Sequence, residues 1–211
     1  MPPLLVLGTR NRKKGQEIYE ILDGLGIEFA DLSRWPDLPE VDEDGDTFEA
    51  NARKKATELA QRLGHWVLGE DSGLVVPALG GKPGVYSARY AGKHGDDEAN
   101  NDRLLGELAP LSEDSRAAYY VCTAALADPA GEVRAVVEGR CHGVIICERR
   151  GSGGFGYDPL FLIAEYHRTF GELSPRVKHA LSHRARALAQ LRPLLKNLMV
   201  AESEAAAGPR K

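Results

Sequence analysis

The stretch Leu4–Lys14, LLVLGTRNRKK, constrains the fold more than any other part of the chain. An apolar run passes directly into Thr9, Arg10, Asn11, Arg12, Lys13 and Lys14, and Ile18, Ile21, Leu22 and Leu25 then recur at i, i+3, i+4 and i+7. The first run suits a buried strand and the second spacing suits an amphipathic helix, so the chain opens as strand, polar loop, helix. The loop carries cations where a helix start already presents partial positive charge from its unpaired amides. That arrangement opposes folding unless an anion balances it. A similar cluster stands at Lys178–Arg184, KHALSHR, just ahead of the last predicted helix. Two such places in one chain point to a phosphate-rich ligand.

The remaining pattern alternates strands with helices. Gly24 and Gly26 help end the first helix, Ile27–Leu32 suits a second strand, and an acidic, proline-marked segment follows over Trp35–Asp46. Asp46 or Thr47 can cap a helix whose Ala52, Ala56, Leu59, Ala60 and Leu63 form one apolar stripe. Asn51 and Lys55 sit one turn apart on another face of that helix. His65–Gly69 is expected as a short strand that delivers Glu70 and Asp71 into a Ser-Gly turn, and Leu79–Gly92 as a loop. A helix is predicted over Asp97–Leu108. Two β-rich runs, Ala117–Ala127 and Val133–Cys147, flank the turn Asp128–Gly131 and suggest a hairpin or meander forming a second lobe. A glycine-rich turn, Gly151–Gly156, leads to a strand at Pro159–Ile163. The last helix carries Leu188, Leu191, Leu195 and Leu198 with Pro193 inside, which predicts a kink or restart. Residues 1–200 are expected to form one catalytic domain, and 201–211, AESEAAAGPRK, have the composition of a disordered tail.

Composition narrows the functional classes. A net charge of -4 argues against a nucleic-acid partner held by a broad basic surface, so the local cation clusters suit a compact anion. The three cysteines, Cys122, Cys141 and Cys147, are odd in number and lack C-x-x-C spacing, which indicates neither a disulfide framework nor zinc. No apolar run approaches the length needed to cross a membrane, and no leader pattern opens the chain. A cytoplasmic protein with no membrane partner is expected.

Three constellations carry candidate chemistry. Thr9, Asn11 and Lys14 could cap an ordinary surface helix, yet a strand-loop-helix context aims backbone amides and Lys14 at one point. The P-loop pattern G-x-x-x-x-G-K-[ST] is absent. Glu70 and Asp71 could be solvated like many adjacent carboxylates. Beside a cationic phosphate site they also suit a hard cation such as Mg²⁺, or the orientation of a water. In the block Gly153–Asp158, Phe155 can stack on a flat ligand and Asp158 can accept from a ring N–H, although glycines and aromatics also make ordinary tight turns.

Together these residues resemble the inosine triphosphate pyrophosphatase family, hydrolases of non-standard purine nucleoside triphosphates. The resemblance rests on TRNRKK at Thr9–Lys14, EDGDTFEANA at Glu43–Ala52 continuing to Lys55, EDSGL at Glu70–Leu74, LGGKPGVYSARYAG at Leu79–Gly92, GSGGFGYDP at Gly151–Pro159 and the block Lys178–Arg184. It spans about Leu4 to Leu195. It implies an α/β fold with an elongated mixed central sheet flanked by helices, and two lobes with the active-site cleft between them. It implies that Thr9, Arg10, Asn11, Arg12, Lys13, Lys14, Lys55 and Ser72 embrace the triphosphate. Asp71 would be the catalytic carboxylate, with Glu43, Glu70 and Asp71 holding Mg²⁺. Phe155, Gly156, Tyr157, Asp158, Lys178, His183 and Arg184 would recognise the base. The resemblance further implies a homodimer that cleanses nucleotide pools. The chain departs from the family pattern at Ala50, often Glu in relatives, at Glu70, usually Asp, and at Val177 and His179. A nucleotidyl or phosphoryl transferase and a non-catalytic nucleotide-binding regulator are the rival readings. Free pyrophosphate released without an acceptor would separate the first from hydrolysis, and Mg²⁺-dependent turnover the second.

Overall fold

Residues 3–200 are described in a computed structural model of the chain. The tail expected at 201–211 lies outside the described residues. Strand β1, Leu4–Leu7, is buried along most of its length and leads to helix α1, Arg12–Leu22. Asn11 caps that helix by accepting from the backbone N–H groups of Lys13 and Lys14. Strand β2 is Glu28–Asp31 and helix α2 is Phe48–Leu63. Of the two expected caps for α2, Thr47 is the one used, accepting from the Ala50 N–H, and Gly64 ends the helix in the left-handed region at φ 66°.

Strand β3, Trp66–Val75, is twice the expected length, and Glu70, Asp71 and Ser72 lie within it rather than in a turn beyond it. The Ser-Gly pair suggested a turn, but polar residues at 70 and 71 can stay in a buried strand because side chains from α1 and α2 supply their partners. Helix α3, Asp97–Leu108, strand β4, Ala117–Ala127, and strand β5, Val133–Ile145, follow close to expectation. Strand β6 is shorter than predicted, Phe161–Ile163, and a two-residue strand β7, Arg168–Thr169, completes the sheet. The predicted loop Leu79–Gly92 begins at the end of a 3-10 turn, Pro77–Leu79, and contains another at Gly84–Arg89. Helix α4 is Pro175–Leu181 and helix α5 is His183–Leu195. Lys178 therefore lies inside a short helix while still preceding the last one, whose first turn holds His183 and Arg184. Pro193 lies inside α5, and the helix loosens into π-type turns at Lys196–Val200 soon after it.

The seven strands form one mixed sheet in the order β2-β1-β3-β4-β5-β6-β7. β1 runs parallel to both β2 and β3, while β6 runs antiparallel to β5 and β7. The chain divides into two compact units: one holds residues up to Asp71, Thr123–Glu138 and those from Ala185 onward, and the other holds Ser72–Cys122 and Gly139–Arg184. In the first, Val6, Ala52, Ala56, Leu59, Val67 and Ala125 make the core. In the second, Leu74, Leu104, Leu108, Tyr120, Phe161 and Phe170 do so. No helix among the described residues is long and apolar enough to cross a membrane.

Candidate functional site

The first cluster forms where α2 packs on β3. A Cβ on Gly69 would stand 2.4 Å from the Ala52 carbonyl oxygen and 2.6 Å from the Ala56 nitrogen, so only glycine allows this approach. Ala52 and Ala56 are the small residues on the opposing face. The same contact brings Asn51 and Lys55 of α2 against the acidic pair. Asn51 Nδ2 donates to Asp71 Oδ2 at 3.0 Å, and its Oδ1 accepts from the Gly45 N–H at 2.8 Å. Lys55 Nζ donates to the Glu70 carbonyl at 2.9 Å and lies 2.9 Å from Glu43 Oε1. Lys14 Nζ, from α1, lies 3.6 Å from Glu70 Oε2. Glu70, Asp71 and Lys55 are all buried.

Burial pushes the Asp71 carboxyl above its usual range. The Lys14 and Lys55 ammoniums and the Asn51 hydrogen bond pull it back only in part. The carboxylate thus sits at a site that rewards an additional positive charge. The cationic loop beside it is built as the sequence suggested: Thr9 Oγ1 accepts from the Asn11 N–H at 3.1 Å, and the first turn of α1 holds no acidic residue. A cavity of about 600 Å³ opens along this loop, lined by Thr9, Arg10, Asn11 and Arg12 with Tyr19 and Phe29. None of Glu43, Lys55, Glu70 and Asp71 lines it, so it is not the place where the acidic pair would act. Arg10 is exposed, bonds the Leu38 carbonyl and lies 3.7 Å from Glu40, while Arg12 and Lys13 are exposed.

The second cluster lies around the loop 155–158. Asp158 Oδ2 accepts from the Phe155 N–H at 2.9 Å and from Lys178 Nζ at 2.7 Å, and Asp158 and Lys178 are both buried. Gly154 has φ +75°, and a Cβ there would fall 1.9 Å from Asp158 Oδ2. The half-buried Phe155 ring has Lys178 Nζ 4.9 Å and Arg184 Cζ 5.9 Å from its centroid. Arg184, 1% exposed, donates from Nη2 to Ser72 Oγ at 3.1 Å. His183 stacks on Tyr120 with centroids 4.7 Å apart and planes 12° apart. Burial, with Asp158 next, pushes the Tyr120 hydroxyl well above its usual range. Tyr157 is buried and donates to the Ser87 carbonyl at 2.9 Å. Gly156 is gripped through its backbone, its N–H donating to Asp97 Oδ2 at 2.8 Å and its carbonyl accepting from Asn101 Nδ2 at 2.9 Å.

The sequence profile of the Ham1 family matches residues 5–194. The chain belongs to the Ham1 family. A dITP/XTP pyrophosphatase from Rhodopirellula baltica is 55% identical over 202 residues, covering 96% of this chain and 97% of that protein. One from Geobacter sulfurreducens is 53% identical, covering 89% and 94%. Among solved structures, a HAM1 protein from Coxiella burnetii superposes with a TM-score of 0.84 at 37% identity, covering 92% of this chain and 99% of that one.

Of the residues the sequence singled out, the first cluster joins Lys14, Glu43, Lys55, Glu70 and Asp71, and the second joins Phe155, Asp158, Lys178 and Arg184 with Ser72, which was expected at the phosphates. Tyr120, Asp97 and Asn101 carry no sequence signal of their own as site residues. Asn51 was visible one turn before Lys55, but nothing in one sequence says that its amide is divided between Asp71 and the Gly45 backbone. Among the described residues, no group of three or more His, Cys, Asp or Glu side chains is arranged to hold a metal ion. A Mg²⁺ ion keeps several waters and usually takes one or two carboxylates together with substrate phosphates. Asp71, raised by burial, is a hard oxygen donor of the required kind.

Proposed function

We propose that this Ham1 protein hydrolyses non-standard purine nucleoside triphosphates, dITP, XTP and ITP, to the monophosphate and pyrophosphate, and so cleanses nucleotide pools. The observation that carries the reading is Asp71. It is a buried carboxyl held by Asn51, in the field of Lys14 and Lys55 and raised by burial. A carboxylate tuned upward suits a general base towards water. Lys14 and Lys55 with the Thr9–Lys14 loop supply positive charge for the phosphates, where phosphoryl transfer develops dispersed negative charge. Asp71 and Glu70 would hold Mg²⁺ together with substrate phosphates, while Glu43, paired with Lys55 at 2.9 Å, would not complete a three-carboxylate set with them. When bound, the ion would neutralise phosphate charge and lower the pKa of a water.

The second cluster is assigned to the base. Hypoxanthine and xanthine carry a 6-keto oxygen and an N1–H where adenine carries an amino group and a bare N1. Phe155 offers a ring to stack on, and the buried Lys178, His183 and Arg184 offer donors. Asp158 orients Lys178 rather than standing free to meet the base alone. An unpaired buried donor costs about 1 to 3 kcal/mol, so two mismatches with adenine reach roughly a hundredfold or more. The names of the relatives, dITP/XTP pyrophosphatases, support the same substrate class. A cytoplasmic homodimer completes the reading, and a monomer in sedimentation analysis would remove the dimer from it.

The deciding experiment incubates the purified protein with a panel of purine nucleoside triphosphates, with and without Mg²⁺, and resolves all phosphate products. Monophosphate and pyrophosphate from dITP and XTP, dependent on Mg²⁺ and needing no acceptor, are expected. Diphosphate with inorganic phosphate, or no release without an acceptor, would overturn the reading.

A further inference from the structure

We infer that Asp97 and Asn101, on α3, are positioning residues for base recognition: they hold the backbone on both sides of the Gly156 Cα so that Phe155 and Asp158 stand where the base is read. The inference rests on the assignment of the 155–158 loop to the base. Both main-chain groups of one residue are taken by side chains from far along the chain. The Gly156 N–H goes to Asp97 Oδ2 at 2.8 Å, and the Gly156 carbonyl takes Asn101 Nδ2 at 2.9 Å. The two side chains are four residues apart and so share one face of α3. Asn101 Nδ2 also donates to the Asp97 carbonyl at 2.8 Å, which ties the two grips together.

Loops usually satisfy their backbone locally or with water, so a double non-local grip on the two peptides flanking one Cα is a device for fixing position. Its cost is visible. Asn101 is 1% exposed, and its Oδ1 is buried with no hydrogen-bond partner among the described residues. Gly156 has φ +63° and open space where a Cβ would go, so glycine is needed there for its backbone and the grip selects that backbone. On one side of the held residue is the Phe155 ring. On the other, two residues on, is Asp158, which accepts from the Phe155 N–H and orients Lys178.

The test compares kcat/KM for dITP and dATP, and Tm, in Asp97→Ala, Asp97→Asn and Asn101→Leu. Asp97→Ala and Asn101→Leu should lower the dITP-to-dATP ratio by about tenfold, chiefly through a higher KM for dITP, because a loosened reader loses discrimination before it loses chemistry. Asp97→Asn keeps an acceptor for the Gly156 N–H and should return the ratio to within about threefold of wild type. If Asn101→Leu does not fold, the Asp97 pair decides alone. An equal fall for both substrates, or an unchanged ratio, would overturn the positioning role and leave only a structural contact. Phe155→Ala serves as the control. If it too leaves the ratio unchanged, the base assignment itself has failed; if it shifts the ratio while the α3 variants do not, only the positioning role has.

Discussion

Asp71, the proposed base, is a buried carboxyl, and burial acts on its proton in a calculable direction. Burial raises its carboxyl above the ordinary value of 3.8, so the folded protein holds that proton more tightly than the unfolded chain does. The stability this contributes is fully present below the unfolded value and lost as pH rises through the raised folded value. Asp71→Asn keeps the shape and removes the loss. The metal-free variant should therefore melt higher than metal-free wild type at neutral pH, with the gap closing towards pH 4, and an equal or lower Tm at neutral pH would mean that Lys14 and Lys55 outweigh burial. The same variant should lose at least about a hundredfold in kcat, the scale of a missing general base, while retaining nucleotide binding. More than a few percent of residual activity at saturating Mg²⁺ would remove Asp71 from its catalytic role. Lys14, 3.6 Å from Glu70, has no reason to distinguish bases. Lys14→Ala should raise KM for every triphosphate by a similar factor, about 1.5 to 3 kcal/mol for a lost charge-assisted bond, and a changed ITP-to-GTP ratio would contradict a phosphate role.

At the level of elements, the acidic pair depends on how closely α2 lies on β3, and Gly69 sets that distance. Gly69→Ala would drive a methyl to 2.4 Å from the Ala52 carbonyl oxygen. Overpacking of this kind costs about 1 to 3 kcal/mol, and here it cannot be relieved by a flexible side chain because the obstacle is backbone. Urea unfolding checks it, and a change under about 0.5 kcal/mol would show that the helix can retreat. Helix α4 is tied to the 155–158 loop by the buried Lys178–Asp158 pair at 2.7 Å. Lys178→Met leaves a buried carboxylate uncompensated and should cost about 3 to 5 kcal/mol, while adding Asp158→Asn should recover part of it. Recovery of nothing would mean that packing, not charge, dominates the site. These contacts also mark how far the sequence could be read. The strand-loop-helix start, a cap for α2 at Asp46 or Thr47, and α3 were legible because each is a local pattern of apolar spacing or capping chemistry. The length of β3 was not, since Glu70, Asp71, Ser72 and Gly73 look like a turn until Asn51 and Lys55 are seen to partner them from another element. The glycine of Glu43–Asp44–Gly45 was visible but mute; in the structure its N–H meets Asn51 Oδ1.

For the whole molecule, the decisive property is that neither compact unit is a continuous piece of chain. The path passes from one to the other at Asp71–Ser72, Cys122–Thr123, Glu138–Gly139 and Arg184–Ala185, inside β3, β4, β5 and α5. Elements that belong to both units cannot melt in one alone, so unfolding should be a single cooperative transition. Both tryptophans, Trp35 and Trp66, belong to the first unit. Their fluorescence and the far-ultraviolet circular dichroism of the whole chain should therefore share one midpoint in urea, and separate midpoints would show that the units unfold independently. The candidate residues were easier to find than this division, because motifs lie in sequence while a unit assembled from several stretches leaves no boundary there. The same interleaving bears on inheritance. A crossover between two related genes at residue 71 or 122 would give the progeny a strand from mixed parents, with each half of β3 or β4 shaped for neighbours it no longer has. Exchanges that fall instead near Gly64, or in the turn between Asp128 and Glu132, leave every strand with a single parent, and viable hybrids of this family should carry their joins there.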